Sequence, residues 1–130
     1  MRLLMLLVSV LVLAGCPAKK KKMSTAEVEF LGSWNAGDVK FATATFVAQR
    51  EPCVPVPEKP TRFGEMKMGA PGPLFAEFFI TQGETGHACL YAFDESGKVV
   101  GVASSKQNPL TFEGAGEVMF SKLDFALQAP

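Results

Sequence analysis

The chain has 130 residues, 48% of them hydrophobic and 20% charged, with 13 Lys/Arg against 13 Asp/Glu. That length holds one domain plus a tether. The zero net charge hides an asymmetry: Lys19, Lys20, Lys21 and Lys22 form one basic block, while from Met23 onward eight Lys/Arg face thirteen Asp/Glu, a net of −5, which argues against nucleic acid as a partner.

The amino terminus reads as an address. Arg2 is followed by an apolar run from Leu3 to Leu13, broken only by Ser9, and small residues then lead to a cysteine. This is the layout of a secretory signal. As a helix the run spans only about 16 Å, roughly half a bilayer core, too short for a permanent span. Leu13-Ala14-Gly15-Cys16 resembles the lipobox of bacterial lipoprotein signal peptides. The resemblance covers the first sixteen residues. It implies removal of residues 1–15, diacylglycerol on the Cys16 sulfur and an acyl chain on the new amino terminus. Such palmitate-type chains add about 0.8 kcal/mol per buried CH₂, and two or three together make a lasting anchor. Pro17, not aspartate, follows the cysteine, and by analogy with Gram-negative lipoproteins this implies the periplasmic face of the outer membrane. Residues 16–25 then form a lysine-rich, disordered tether whose like charges keep it extended. They also suit an anionic membrane surface.

Residues 26–130 show a period of two, the signature of strands. Val28, Phe30 and Trp34 alternate with polar positions, Asn35-Ala36-Gly37-Asp38 supplies turn chemistry, and a second alternating run covers 39–48. Together they predict a hairpin. Six of the nine prolines fall in the loop 50–73, ruling out a helix interior or central strand over most of it; only Phe63 to Met68 could form a short strand. Leu74 to Gln82 is apolar on both faces and predicts a central strand. Further strands follow at 87–93, 99–104, 110–113 and 117–127, separated by glycine-rich turns or a proline break. About seven short strands at this spacing predict an all-β, antiparallel sandwich of the immunoglobulin-like type. A small β-barrel is the alternative, suggested by Gly32-Ser33-Trp34, which is similar to the Gly-x-Trp opening of lipocalins.

With Cys16 assigned to lipid, Cys53 and Cys89 remain as an even pair in an oxidising compartment, and we read them as a disulfide. It would close a 37-residue loop, contributing about 4 kcal/mol in the chain-entropy model. Two reduced buried thiols or a metal pair are the alternatives. Met66 and Met68 present two thioethers on one face, and with His87 or Cys53 they are candidates for a Cu(I) site. His87 is the single histidine and has no nucleophile elbow beside it, so no catalytic residue is assigned and an enzyme is not expected. Eleven Phe against one Tyr and one Trp point to aromatics that fill a core more than a binding surface. The proline-rich loop is therefore the expected interaction surface, with Arg62, Phe63, Met66 and Met68 as candidate anchors. The expected function is a lipid-anchored cell-envelope module that binds another envelope protein without catalysis or cofactor. The alternatives are a carrier of a small apolar ligand or lipid and an envelope copper-binding protein.

Overall fold

The computed structural model describes residues 25–112 and 117–130, the side chains of 117–123 excepted. The apolar leader, Cys16 and Lys19–Lys22 lie outside the described residues. Two sheets pack face to face as a sandwich, and no described residue is helical. The strands are β1 (Thr25–Asn35), β2 (Thr43–Gln49), β3 (Arg62–Met68), β4 (Gly72–Thr81), β5 (Thr85–Phe93), β6 (Val99–Ser104), β7 (Leu110–Thr111) and β8 (Glu117–Ala126). One sheet has the order β4-β1-β8; the other runs β3-β2-β5-β6, with the short β7 also paired to β5. We call them the three-stranded and the large sheet.

The fold class expected from the alternating pattern is present, and the sandwich prevails over the barrel. Three details differ. The first two strands do not form a hairpin: β1 pairs with β4 and β8, whereas β2 pairs with β3 and β5. The link after Asn35 crosses between sheets, so Phe30 and Phe46 meet across the sandwich at 5.1 Å, edge to face. Trp34 packs on Phe41 of that link at 5.7 Å, and the second strand starts only at Thr43. Secondly, the sandwich is not wholly antiparallel, because β1 and β8 run parallel. Turn chemistry in the sequence identifies chain reversals, and it carries no information about two strands separated by the whole domain. Thirdly, β4 is an edge strand and not a central one. Its Leu74, Ala76 and Ile80 are buried, but Phe75 and Phe79 face outward, 54% and 64% exposed.

Phenylalanine fills the space between the sheets. Phe30 touches Phe46, Phe78 and Phe112, and Phe46 also meets Phe78 and Phe125, with ring centroids 5.1–6.5 Å apart. Such pairs contribute about 0.5–1.5 kcal/mol each beyond their area. Alanines at 26, 44, 48, 76, 88 and 92, all buried in the same cluster, leave the room these rings need. At one side of the sandwich the edges β3 and β4 lie close together. Gly64 makes this approach feasible, since a Cβ there would stand within 2.7 Å of three ring atoms of Phe78.

The proline-rich loop has a structural duty. Residues 50–61 form a strap over the outer face of the large sheet, where Val47, Cys53, Cys89, Tyr91 and Val102 make a second buried cluster. Cys53 and Cys89 are disulfide-bonded, with Cα atoms 5.6 Å apart, which excludes the free-thiol and metal-pair alternatives for them. The strap is also held by hydrogen bonds. The buried Gln49 Nε2 donates to the carbonyls of Glu51 and Pro52 and to the Tyr91 hydroxyl, at 3.1, 3.3 and 2.8 Å. Thr61 N donates to the Glu51 carboxylate at 2.7 Å. Burial is the largest single influence and opposes that charge, but the hydrogen bonds from Thr61 and from Glu51's own amide, with the nearby Arg50 charge, together hold the Glu51 carboxyl below its ordinary value. The middle of the large sheet, at β2 and β5, is thus covered on both faces, by the other sheet and by the strap.

Candidate functional site

No second strap covers the outer face of the three-stranded sheet among the described residues. Strand alternation aims Phe75, Glu77 and Phe79 outward from β4, and Glu27, Glu29 and Leu31 outward from β1. The antiparallel register sets Phe79 opposite Glu27, Glu77 opposite Glu29 and Phe75 opposite Leu31. Two large aromatic side chains therefore flank an acidic centre. Carboxylate oxygens of Glu27, Glu29 and Glu77 all lie within 4.8 Å of one another. Glu77 is exposed, and Glu27 and Glu29 are half-buried. The carboxylates make the centre of this face acidic, with the exposed Glu77 its outermost member.

This surface is an edge as well as a face. All ten residues of β4 pair with β1 without a register shift, and no described strand pairs with the other side of β4. Long, flat, apolar edges are ones that soluble proteins usually shorten, bulge, charge with lysine or cover. The edge at β3 shows that protection: it carries Lys67, a register shift opposite Ala48 and Gln49, and the Arg62–Glu65 ion pair at 2.6 Å. Between Leu74 and Thr81, β4 carries no proline or lysine.

The residues expected to anchor a partner sit elsewhere. Arg62 is exposed and paired with Glu65, while Phe63, Met66 and Met68 are half-buried against the main core. Phe63 lies on Phe112 at 5.9 Å and beneath the Arg50 guanidinium. The three candidate metal ligands do not converge. Met66 and Met68 pair with the core-facing Phe46 and Ala44, whereas His87 pairs with Gln49 on the opposite face of that sheet. Cys53 is occupied by its disulfide. His87 Nδ1 lies 3.1 Å from the Arg50 carbonyl oxygen, a contact that ties β5 to the start of the strap. The Asp94 carboxylate, another polar centre, accepts from Ser96 Oγ, the Ser96 amide and the Lys98 amide at 2.6, 2.8 and 3.0 Å. These bonds, the Ser96 hydroxyl foremost, lower its pKa and fix the β5–β6 turn.

Phe75, Glu77 and Phe79 escape a reading that treats 74–82 as buried on both sides. One signal was present: Glu77 sits in phase with the two phenylalanines, and an unpartnered carboxylate is rarely placed on a face that the core covers.

The chain matches no known protein family, no curated protein and no solved structure. Function therefore rests on the geometry of the molecule itself.

Proposed function

We propose that this protein is a lipid-anchored binding module of the bacterial cell envelope that holds another envelope protein against the outer face of β4 and β1, without catalysis. One observation carries the reading. The strap covers the outer face of the large sheet over β2 and β5, yet the three-stranded sheet leaves Phe75 and Phe79 bare around three clustered carboxylates. Desolvating those two rings would supply apolar binding energy, at about 25 cal/mol per Å² of buried area, and the carboxylates would select a basic partner.

The anchor and the face suit one another. Cys16 lies nine residues before Thr25, so an extended tether reaches about 30 Å. Thr25 opens β1 opposite Thr81, two residues from the pair of Glu27 with Phe79. A partner bound there would be held close to the membrane, which by the Pro17 analogy is the periplasmic face of the outer membrane. The close ring packing of Phe30, Phe46, Phe78, Phe112 and Phe125 occupies the interior that a carrier of apolar ligands would need. Met66 and Met68 on one face of the large sheet and His87 on the other favour the binding reading over a copper site built from these three.

Two measurements test this reading. Cells fed radiolabelled palmitate should yield a labelled mature species, lost on Cys16→Ala; an unlabelled wild-type product would refute the anchor. The exposed Phe75→Ser/Phe79→Ser double variant should keep the parent's unfolding free energy within about 1 kcal/mol and lose its co-isolated envelope partner. An unchanged partner set would refute the site.

A further inference from the structure

We infer that the partner binds by adding an extended segment as a strand along β4, and that this segment carries Lys or Arg at one position with large apolar residues two places before and after it. This rests on the binding reading above and specifies its mode. The free side of β4 offers the backbone donors and acceptors that strand addition uses. Its outward row Phe75-Glu77-Phe79 repeats every second residue, the spacing at which an added strand presents one face. Residues directly opposite across an antiparallel pair have Cβ atoms about 4.5–5.5 Å apart. An apolar–basic–apolar row would therefore meet Phe, Glu and Phe in turn.

Charge decides among the occupants of that edge. Glu77 shares its surroundings with Glu27 and Glu29, all three within 4.8 Å, and the chain from Met23 onward carries a net of −5. A second copy of this protein, paired about a two-fold axis at Glu77, the centre of the outward row Phe75-Glu77-Phe79, would set Glu77 against its own counterpart, and like charges directly opposite destabilise a sheet. An anionic membrane surface would meet the same repulsion. A cationic strand meets none.

The test uses the full lipidated protein in neutral detergent micelles and three synthetic ten-residue peptides. One contains Val-Thr-Lys-Thr-Val at its centre, the second replaces Lys with Glu, and the third is the Lys peptide with alternate backbone amides N-methylated. Strand addition with charge selection requires the Lys peptide to bind about tenfold more tightly than the Glu peptide. The order should reverse in Glu77→Lys, and the N-methylated peptide should not bind. Equal affinity for the first two peptides, or unimpaired binding of the N-methylated one, would overturn the inference. So would sedimentation showing a dimer that Phe79→Ser dissolves. If position 79 crosslinks an envelope protein in cells while no peptide binds, the strand mode is wrong and the binding module stands; if neither occurs, both fail.

Discussion

The Gln49 side-chain amide donates to the Tyr91 hydroxyl at 2.8 Å, beneath a strap containing Pro52, Pro55, Pro57 and Pro60. The same amide nitrogen reaches the Glu51 and Pro52 carbonyls. One buried side chain therefore ties β2, β5 and the strap together. Burial pushes the Tyr91 phenol above its ordinary value of 10.0, and the Gln49 bond pulls part of that back. Tyr91 is the chain's single tyrosine, so its phenolate absorbance reports this place alone. The titration midpoint should lie above the free-tyrosine value and rise further in Gln49→Leu. The raised pKa means the neutral phenol stabilises the fold; that contribution is full below the unfolded value and is lost as pH rises through the folded one. A midpoint at the free-tyrosine value would contradict the burial of this cluster.

The Cys53–Cys89 disulfide joins the strap to β5 across 36 residues of sequence. Replacing both cysteines with serine should cost about 2–5 kcal/mol, read as a lower midpoint in urea. It should also open the strap to proteases near Val54 and Val56, already among the exposed apolar residues. Because Phe46 and its neighbours belong to a separate cluster, the double variant should keep its strand signature in circular dichroism. An unaltered midpoint would mean that the strap draws its stability from elsewhere.

Gly86 and Gly64 are each pressed against a neighbour, but the neighbours differ. A Cβ at Gly86 would overlap the backbone carbonyl oxygen of Gln49, and one at Gly64 would press on the Phe78 ring. A backbone atom can yield only by shifting its strand, whereas the half-buried Phe78 can swing about its Cα–Cβ bond at the expense of its packing on Phe30 and Phe46. Overpacking typically costs about 1–3 kcal/mol. Gly86→Ala should fall at the upper end of that range and Gly64→Ala at the lower, as compared by chemical denaturation. The reverse order would show that the β3–β4 edge is the stiffer part.

Phe46→Ala removes the ring shared by Phe30, Phe78 and Phe125. Large-to-small changes of this kind cost about 3–5 kcal/mol. Calorimetry should show one of the deepest losses of any single substitution here. A loss below about 1 kcal/mol would mean that the core collapses around the gap, contrary to interlocked ring packing.

Much of the architecture was legible in the alternation of side chains. Val28 and Phe30 mark the inner face of β1, whereas β2 is apolar on both rows and only the packing shows that Ala44, Phe46 and Ala48 face the main core. The even cysteine pair correctly indicated a bridge. Sheet assignment was less accessible. A turn at Asn35–Asp38 is compatible with a hairpin or a crossover, and only the contact of Phe30 with Phe46 across the interior distinguishes them. The outer face of β4 was misread for a related reason. Phenylalanines on both sides of a strand suggest burial on both sides, yet hydrophobicity alone does not reveal whether a covering layer exists. The proline loop supplied such a layer for β2 and β5, and no comparable segment does so for β4 among the described residues. The amino-terminal address lies outside the described residues and rests on Leu13-Ala14-Gly15-Cys16.

The most direct measurement of the central claim is site-specific photocrosslinking in intact cells, with a photoreactive residue at Phe79, at Phe75, or at exposed Lys59 or Lys98 as controls. Positions 75 and 79 should capture the same envelope protein and the controls should not. Identical products from all four positions, or none from 75 and 79, would contradict the claim.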